Sequence, residues 1–231
     1  MTIVVTDAET REKAARVYAQ LRAQYGEPHW TGRANPVGEL IGAILSQHTS
    51  DANTDRAYAN LLATFGDWEG VRDAPIGAIA RAIKTAGLSN VKAPRIKAVL
   101  QTIMARQGRL SLEHLKDVPL AEAKEELRSL PGVGPKTAAC ALLFGLGLPA
   151  MPVDTHVYRV SRRLGLYPEN ATVEAAHDLL EEMTPPSDVF GFHVLTIKHG
   201  RLVCRAQRPR CPDCILLPHC DYGRRALALL P

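Results

Sequence analysis

Apolar residues recur every three or four positions along most of this chain, and no long stretch alternates apolar with polar at a period of two. That spacing gathers the apolar side chains on one face of a 3.6-residue turn, so it predicts helices rather than strands. In "TREKAARVYAQLRAQYG" the face is Ala14, Val17, Tyr18 and Leu21, and Gly26 ends the segment. "PVGELIGAILSQ" opens on Pro36, in a first-turn position, and carries Val37, Leu40, Ile41, Ile44 and Leu45. "DANTDRAYANLLATFG" opens on Asp51, the expected N-cap, and stops at Gly66. Further helices are predicted over residues 75–86, 91–107, 120–129, 136–146, 154–164, 171–183 and 187–200. The expected fold class is all-α, with about ten helices joined by short connections. There is no internal repeat, low-complexity tract or flexible linker, so composition marks no domain boundary.

Composition changes this picture little. With 231 residues, 46% hydrophobic and 23% charged, the chain has the make-up of an ordinary globular protein. No apolar run approaches the roughly 20 residues of a membrane span. The start, "MTIVVTDAETREKAARVYAQ", lacks a secretion signal, so a cytoplasmic location is the default expectation. The net charge of +4 permits nucleic-acid binding without arguing for it. Its distribution says more. From Thr196 onward Lys198, Arg201, Arg205, Arg208, Arg210, Arg224 and Arg225 face only Asp213 and Asp221, so the tail holds the whole excess. A basic tail is either a solvated face or a surface for phosphates.

The same tail holds four of the five cysteines. Cys204, Cys211, Cys214 and Cys220 follow a C-x6-C-x2-C-x5-C pattern. Without an export signal, disulfides are disfavoured. Structural zinc more often pairs two Cys-x-x-Cys knuckles, and only one is present. One close pair with two wider spacings suits the corners of an iron–sulfur cubane, so the spacing leaves a cluster ahead of zinc with both open. Cys140, among Ala138, Ala139, Ala141 and Leu142, reads as a small core residue.

A second constellation interrupts the helical pattern. In "LPGVGPKTAAC" a helix ends near Leu130 and the next begins near Pro135. Gly132 and Gly134 allow backbone angles closed to other residues and expose N–H groups. At a helix start such groups attract anions, so the turn is either a packing turn or a sequence-independent grip on a phosphate backbone. Lys136 follows at once. The positive end of the helix disfavours an ammonium there, and a neutral amine is a nucleophile that can form a Schiff base with a sugar carbon. The plain alternative is a solvated lysine. Asp154, in "MPVDTHVYRV", reads first as an N-cap, and otherwise as a carboxylate that stabilises positive charge or moves protons.

Taken together, "LPGVGPKTA", "VDTHVYRV", "HGRLVC", the four-cysteine spacing, "ILSQHTSD" and "AGLSNVKA" resemble the endonuclease III family of DNA glycosylases over nearly the whole chain. The resemblance implies two all-α lobes with a DNA-binding cleft between them. A six-helix lobe would span residues 28–140 and carry the helix-hairpin-helix motif. Residues 1–27 plus 141–231 would form a lobe with a [4Fe-4S] cluster on Cys204, Cys211, Cys214 and Cys220. It implies a bifunctional glycosylase and AP lyase of base excision repair that removes oxidised pyrimidines, with Lys136 as nucleophile and Asp154 stabilising the cationic sugar. Gly132 and Gly134 would hold the DNA backbone. Gln47 or His48 would fill the gap left by the flipped base, Leu88 would wedge the stack, and Arg208 and Arg210 would meet phosphates. The partner would be double-stranded DNA bearing a damaged pyrimidine or abasic site, bound by a monomer. Related mismatch glycosylases usually lack the lysine. The alternative function is a non-catalytic, cluster-bearing module that binds damaged DNA, which needs neither Lys136 nor Asp154. A third is a zinc-stabilised helical nucleic-acid protein.

Overall fold

The computed structural model describes residues 7–29 and 35–228. Among them there are twelve α-helices and no strand. The six residues that open "MTIVVTDAET" lie outside the described residues. No helix is long and apolar enough to cross a membrane among the described residues. The chain forms two compact units, one of residues 31–148 and one of residues 1–30 with 149–231.

The first unit is built around α2 (Pro36–Leu45), which buries every residue except Glu39. A helix apolar on nearly all sides belongs in the middle of a bundle. Asn35 caps it, its Oδ1 accepting from the N–H groups of Val37 and Gly38. Around it lie α3 (Asp51–Phe65), α4 (Trp68–Asp73), α5 (Ile76–Ala82), α6 (Ser89–Gln107), α7 (Leu120–Arg128) and α8 (Pro135–Cys140). The core takes Leu61 from α3, Val71 from α4, Ile79 from α5, Ile96 and Leu100 from α6, and Leu127 from α7, all fully buried. After α8 the backbone widens into a π turn over Ala141–Gly145. The expected cap of α3 shifts by one residue: Ser50 Oγ accepts the N–H of Asn53, and Asp51 is the first helical residue.

The second unit packs α1 (Ala8–Tyr25) with α9 (Thr155–Leu164), α10 (Val173–Met183), α11 (Val189–Leu202) and α12 (Asp221–Ala228). Val17 and Leu21 of α1, Val157 and Val160 of α9, Leu180 of α10 and Phe192 and Leu195 of α11 make its core. Lys13 of α1 pairs with Asp221 at 3.2 Å, which ties the last helix to the first.

Candidate active site and cysteine centre

The hairpin of the first unit joins α7 to α8. Gly132 has φ +72, in the left-handed region, and a Cβ there would lie 2.8 Å from Arg95 Cδ. Gly134 differs from the expectation. It is extended (φ −91, ψ 177), caps α8 and has open space around it, so no backbone strain calls for glycine. What Gly134 offers is bareness, which lets another backbone come close. The N–H groups of Gly132, Gly134, Lys136 and Thr137 have no partner among the described residues. Four unpaired donors around one turn are groups of the kind that can bind an anion. Lys136 is half-buried in the first turn of α8, and its amine has no hydrogen-bond or ion-pair partner among the described residues.

Two more segments of the same unit carry predicted site residues. Gln47 follows α2, half-buried, with both ends of its amide engaged. Its Nε2 donates to Thr137 Oγ1 and its Oε1 accepts from Arg95, each at 3.4 Å. His48 is exposed, has φ +53, and has no partner among the described residues. Leu88, at the N-cap of α6, has φ +48 and is 55% exposed, so it is not a core residue. Two residues that sequence reasoning passed over organise this region. Arg95 joins Gln47 to the flank of Gly132. Lys92 is buried and donates to the carbonyl oxygens of Leu45 and Ala86.

In the second unit Asp154 is the N-cap of α9. Its Oδ1 accepts from the N–H groups of His156 at 2.8 Å and Val157 at 2.7 Å. That leaves Oδ2 without a donor among the described residues, on a carboxylate held in one orientation and only half-buried. Capping and a charge role are therefore compatible.

Helix α9 also sets the start of the cysteine segment. Arg159 Nε donates to the Cys204 carbonyl at 3.0 Å, and Arg163 donates to the carbonyls of Arg205 at 2.7 Å and Ala206 at 3.0 Å. The Arg163 guanidinium also lies 4.5 Å from the Tyr222 ring centre and 3.4 Å from Cys204 Sγ. Cys204, Cys211, Cys214 and Cys220 are unbridged and line one cavity, walled by Val160, Leu164, Leu216 and Leu217. Among the described residues no three His, Cys, Asp or Glu side chains are grouped as for one metal ion. Burial pushes the Cys214 thiol up to about 11 and raises those of Cys211 and Cys220. Buried thiolates need compensating positive charge, which a metal centre supplies. The donors therefore suit a soft, thiolate-bound group. The predicted phosphate-binding arginines differ from each other: Arg208 is exposed, with φ +49 and no partner among the described residues, whereas Arg210 pairs with Asp213 at 3.1 Å. Cys140 is buried in the first unit.

The family described as HhH-GPD superfamily base excision DNA repair protein matches residues 41–186. Endonuclease III of Escherichia coli strain K12 is 32% identical over 216 residues, covering 92% of this chain and 98% of the relative. The chain belongs to the endonuclease III family. These are DNA glycosylases and AP lyases of base excision repair. Endonuclease III of Thermotoga maritima is 34% identical over 192 residues, 83% of this chain and 85% of its own. A candidate DNA glycosylase of Arabidopsis thaliana is 37% identical over 169 residues, and the chain spans only 58% of that relative's length. Among solved structures, a non-covalent endonuclease III–DNA complex superposes with a TM-score of 0.80 at 27% identity, covering 94% of this chain and 98% of the other. A trapped endonuclease III–DNA covalent intermediate gives the same TM-score at 28% identity.

Proposed function

We propose that this chain excises oxidised pyrimidines from double-stranded DNA and cuts the strand at the resulting site, acting as a monomer. The observation that carries the reading is the unpartnered amine of Lys136 beside four unpaired N–H groups at the Gly132–Gly134 turn. Endonuclease III relatives caught on DNA, one of them covalently, support it.

The hairpin N–H groups hold the DNA backbone without reading sequence. The damaged nucleotide leaves the stack, because chemistry at C1′ needs access around the base. Exposed His48 enters the vacated space, while Gln47, already engaged by Thr137 and Arg95, braces the hairpin. Leu88 inserts between bases. The Lys136 amine attacks C1′, the C1′–N bond breaks, and its electron pair leaves with the base, which takes up a proton. Asp154 takes the role of stabilising the positive charge that develops on the sugar and of passing protons, through the Oδ2 that its capping bonds leave available. The sugar ring opens to an imine, C2′ loses a proton, and the 3′ phosphate departs by β-elimination. Water then frees Lys136.

Cys204, Cys211, Cys214 and Cys220 would hold a [4Fe-4S] cluster, which ties together four points of the C-terminal segment when bound. The unit of residues 31–148 would serve as the hairpin lobe and that of residues 1–30 with 149–231 as the cluster lobe, so the division expected after residue 140 falls after 148.

Duplexes that each carry one defined lesion, or an abasic site, test this directly. Borohydride should trap the protein on oxidised pyrimidines and abasic sites, and Lys136→Gln should abolish trapping with DNA affinity largely kept. Equal trapping by Lys136→Gln would assign the chemistry to another amine. Binding without cleavage of any duplex would favour the damage-binding module.

A further inference from the structure

Lys92 lies in the first turn and a half of α6, is 1% exposed, and is among the largest fully buried side chains. Its Nζ donates to the Leu45 carbonyl at 2.7 Å and to the Ala86 carbonyl at 2.8 Å. Leu45 is the last residue of α2, and Ala86 ends the short 3-10 turn before α6. Among the described residues no carboxylate pairs with this amine. The C-terminal end of α2 contributes the negative end of its helix dipole instead. An apolar side chain would fill the space without desolvating a charge, but it could not join two carbonyls.

What the two carbonyls precede gives the bridge its meaning. Three residues beyond Leu45 stands His48, and two beyond Ala86 stands Leu88. Both are exposed, and both hold left-handed backbone angles that are unfavourable for residues other than glycine. Such angles persist only where the surroundings fix them. The backbone N–H of Lys92 also donates to the Leu88 carbonyl at 2.9 Å. One residue thus fastens the base of both loops.

We propose that Lys92 is a positioning residue that locks the His48 and Leu88 loops into one preformed probe before DNA arrives, and so sets how well a base-paired lesion is opened. The proposal rests on the reading that these loops enter the duplex. A preformed probe spends no binding free energy on ordering loops, and its benefit is largest where the duplex resists opening. A preformed abasic site opens more easily and depends on it less.

Lys92→Met keeps the length and apolar stem and removes the donor. Two measurements test it. In the DNA-free protein, amide exchange at the 45–50 and 86–91 segments should speed up at least 10-fold together, with α10 and α11 unchanged. In single turnovers, excision of a paired oxidised pyrimidine should slow at least 10-fold more than cleavage at an abasic site. Adding Leu88→Ala to Lys92→Met should widen that ratio no further. Unchanged exchange in either segment, or equal slowing of both substrates by a folded variant, overturns the proposal. Should Lys92→Met not fold, the unaltered protein still decides. The hydrogen-bonded amides of Gln47 and Gly87 should then open together, and independent exchange at surface-loop rates overturns the proposal. If the unaltered protein cuts neither duplex, the functional reading fails, and the exchange measurement still reports separately on the clamp.

Discussion

Asp154 shows how one residue can serve two ends. A single oxygen satisfies two N–H groups at the start of α9, and the other stays available. Asparagine caps a helix as well as aspartate does, so Asp154→Asn removes the charge and keeps the cap. It should melt within a few tenths of a kcal/mol of the unaltered protein and lose turnover by roughly 10²-fold or more. Asp154→Ala loses both and should cost about 1 kcal/mol of stability in addition. Normal turnover by Asp154→Asn would leave capping as its whole role; calorimetry and single-turnover rates read the two effects separately. Lys136 and Asp154 could be singled out in the sequence as candidates by residue type and by the turn or helix start beside each, while the roles expected of them came from the family resemblance. Lys92 could not. In "AGLSNVKAPRIK" it looks like any solvated lysine, and only the packing of α6 against the ends of two other segments buries it. The exposure of Leu88 is compatible with the wedge role expected of it, although an apolar residue at a helix end more often packs than protrudes.

The hairpin separates what glycine does for a backbone from what it does for a ligand. Gly132 needs glycine for its own conformation, and Gly134 does not. Gly132→Ala should therefore destabilise the protein by roughly 1 kcal/mol or more, and Arg95 must shift to admit the new methyl. Gly134→Ala should leave the melting temperature nearly unchanged and weaken binding to all duplexes alike, because its methyl would stand in the open space where the proposed function brings a phosphate backbone. A thermal melt with a binding titration distinguishes them. Equal stability loss in both would mean the turn is a packing device. Most helices were visible from their spacing, as in α1 and α3, where one apolar face runs from a start signal to a glycine. The misses share a physical cause. Helix α4 has six residues and α12 eight, too few turns for a periodic face to stand out, and α12 follows directly on a segment whose pattern is set by its cysteines. The predicted 75–86 helix divides into α5 and a 3-10 turn, and the predicted 136–146 helix divides into α8 and a π turn. A period of apolar residues does not distinguish these windings.

At the scale of the molecule, net charge is a poor guide to where DNA is held, because most of the basic tail is already paired. Arg210 faces Asp213, Arg224 faces Asp221, Arg225 faces Glu169, and Lys198 reaches the Tyr25 carbonyl. Arg205 and Arg208 are exposed with no side-chain partner among the described residues, in the stretch whose carbonyls Arg163 fastens. The cysteine segment should make the protein brown, with about four irons per chain; colourless protein holding one zinc would overturn the cluster assignment. If a cluster orders that stretch, metal content and DNA affinity are linked. Arg208→Glu should weaken binding to damaged and undamaged duplexes by the same factor, and flatten the plot of log affinity against log salt by about one unit, the signature of one lost phosphate contact. Arg210→Glu should flatten it less, since the guanidinium it removes is already shared with Asp213. Removing the iron should produce the Arg208→Glu slope in the unaltered sequence, and should add nothing further to Arg208→Glu itself. A slope unchanged by Arg208→Glu would place this arginine away from DNA, and the basic tail would then be a solvated face.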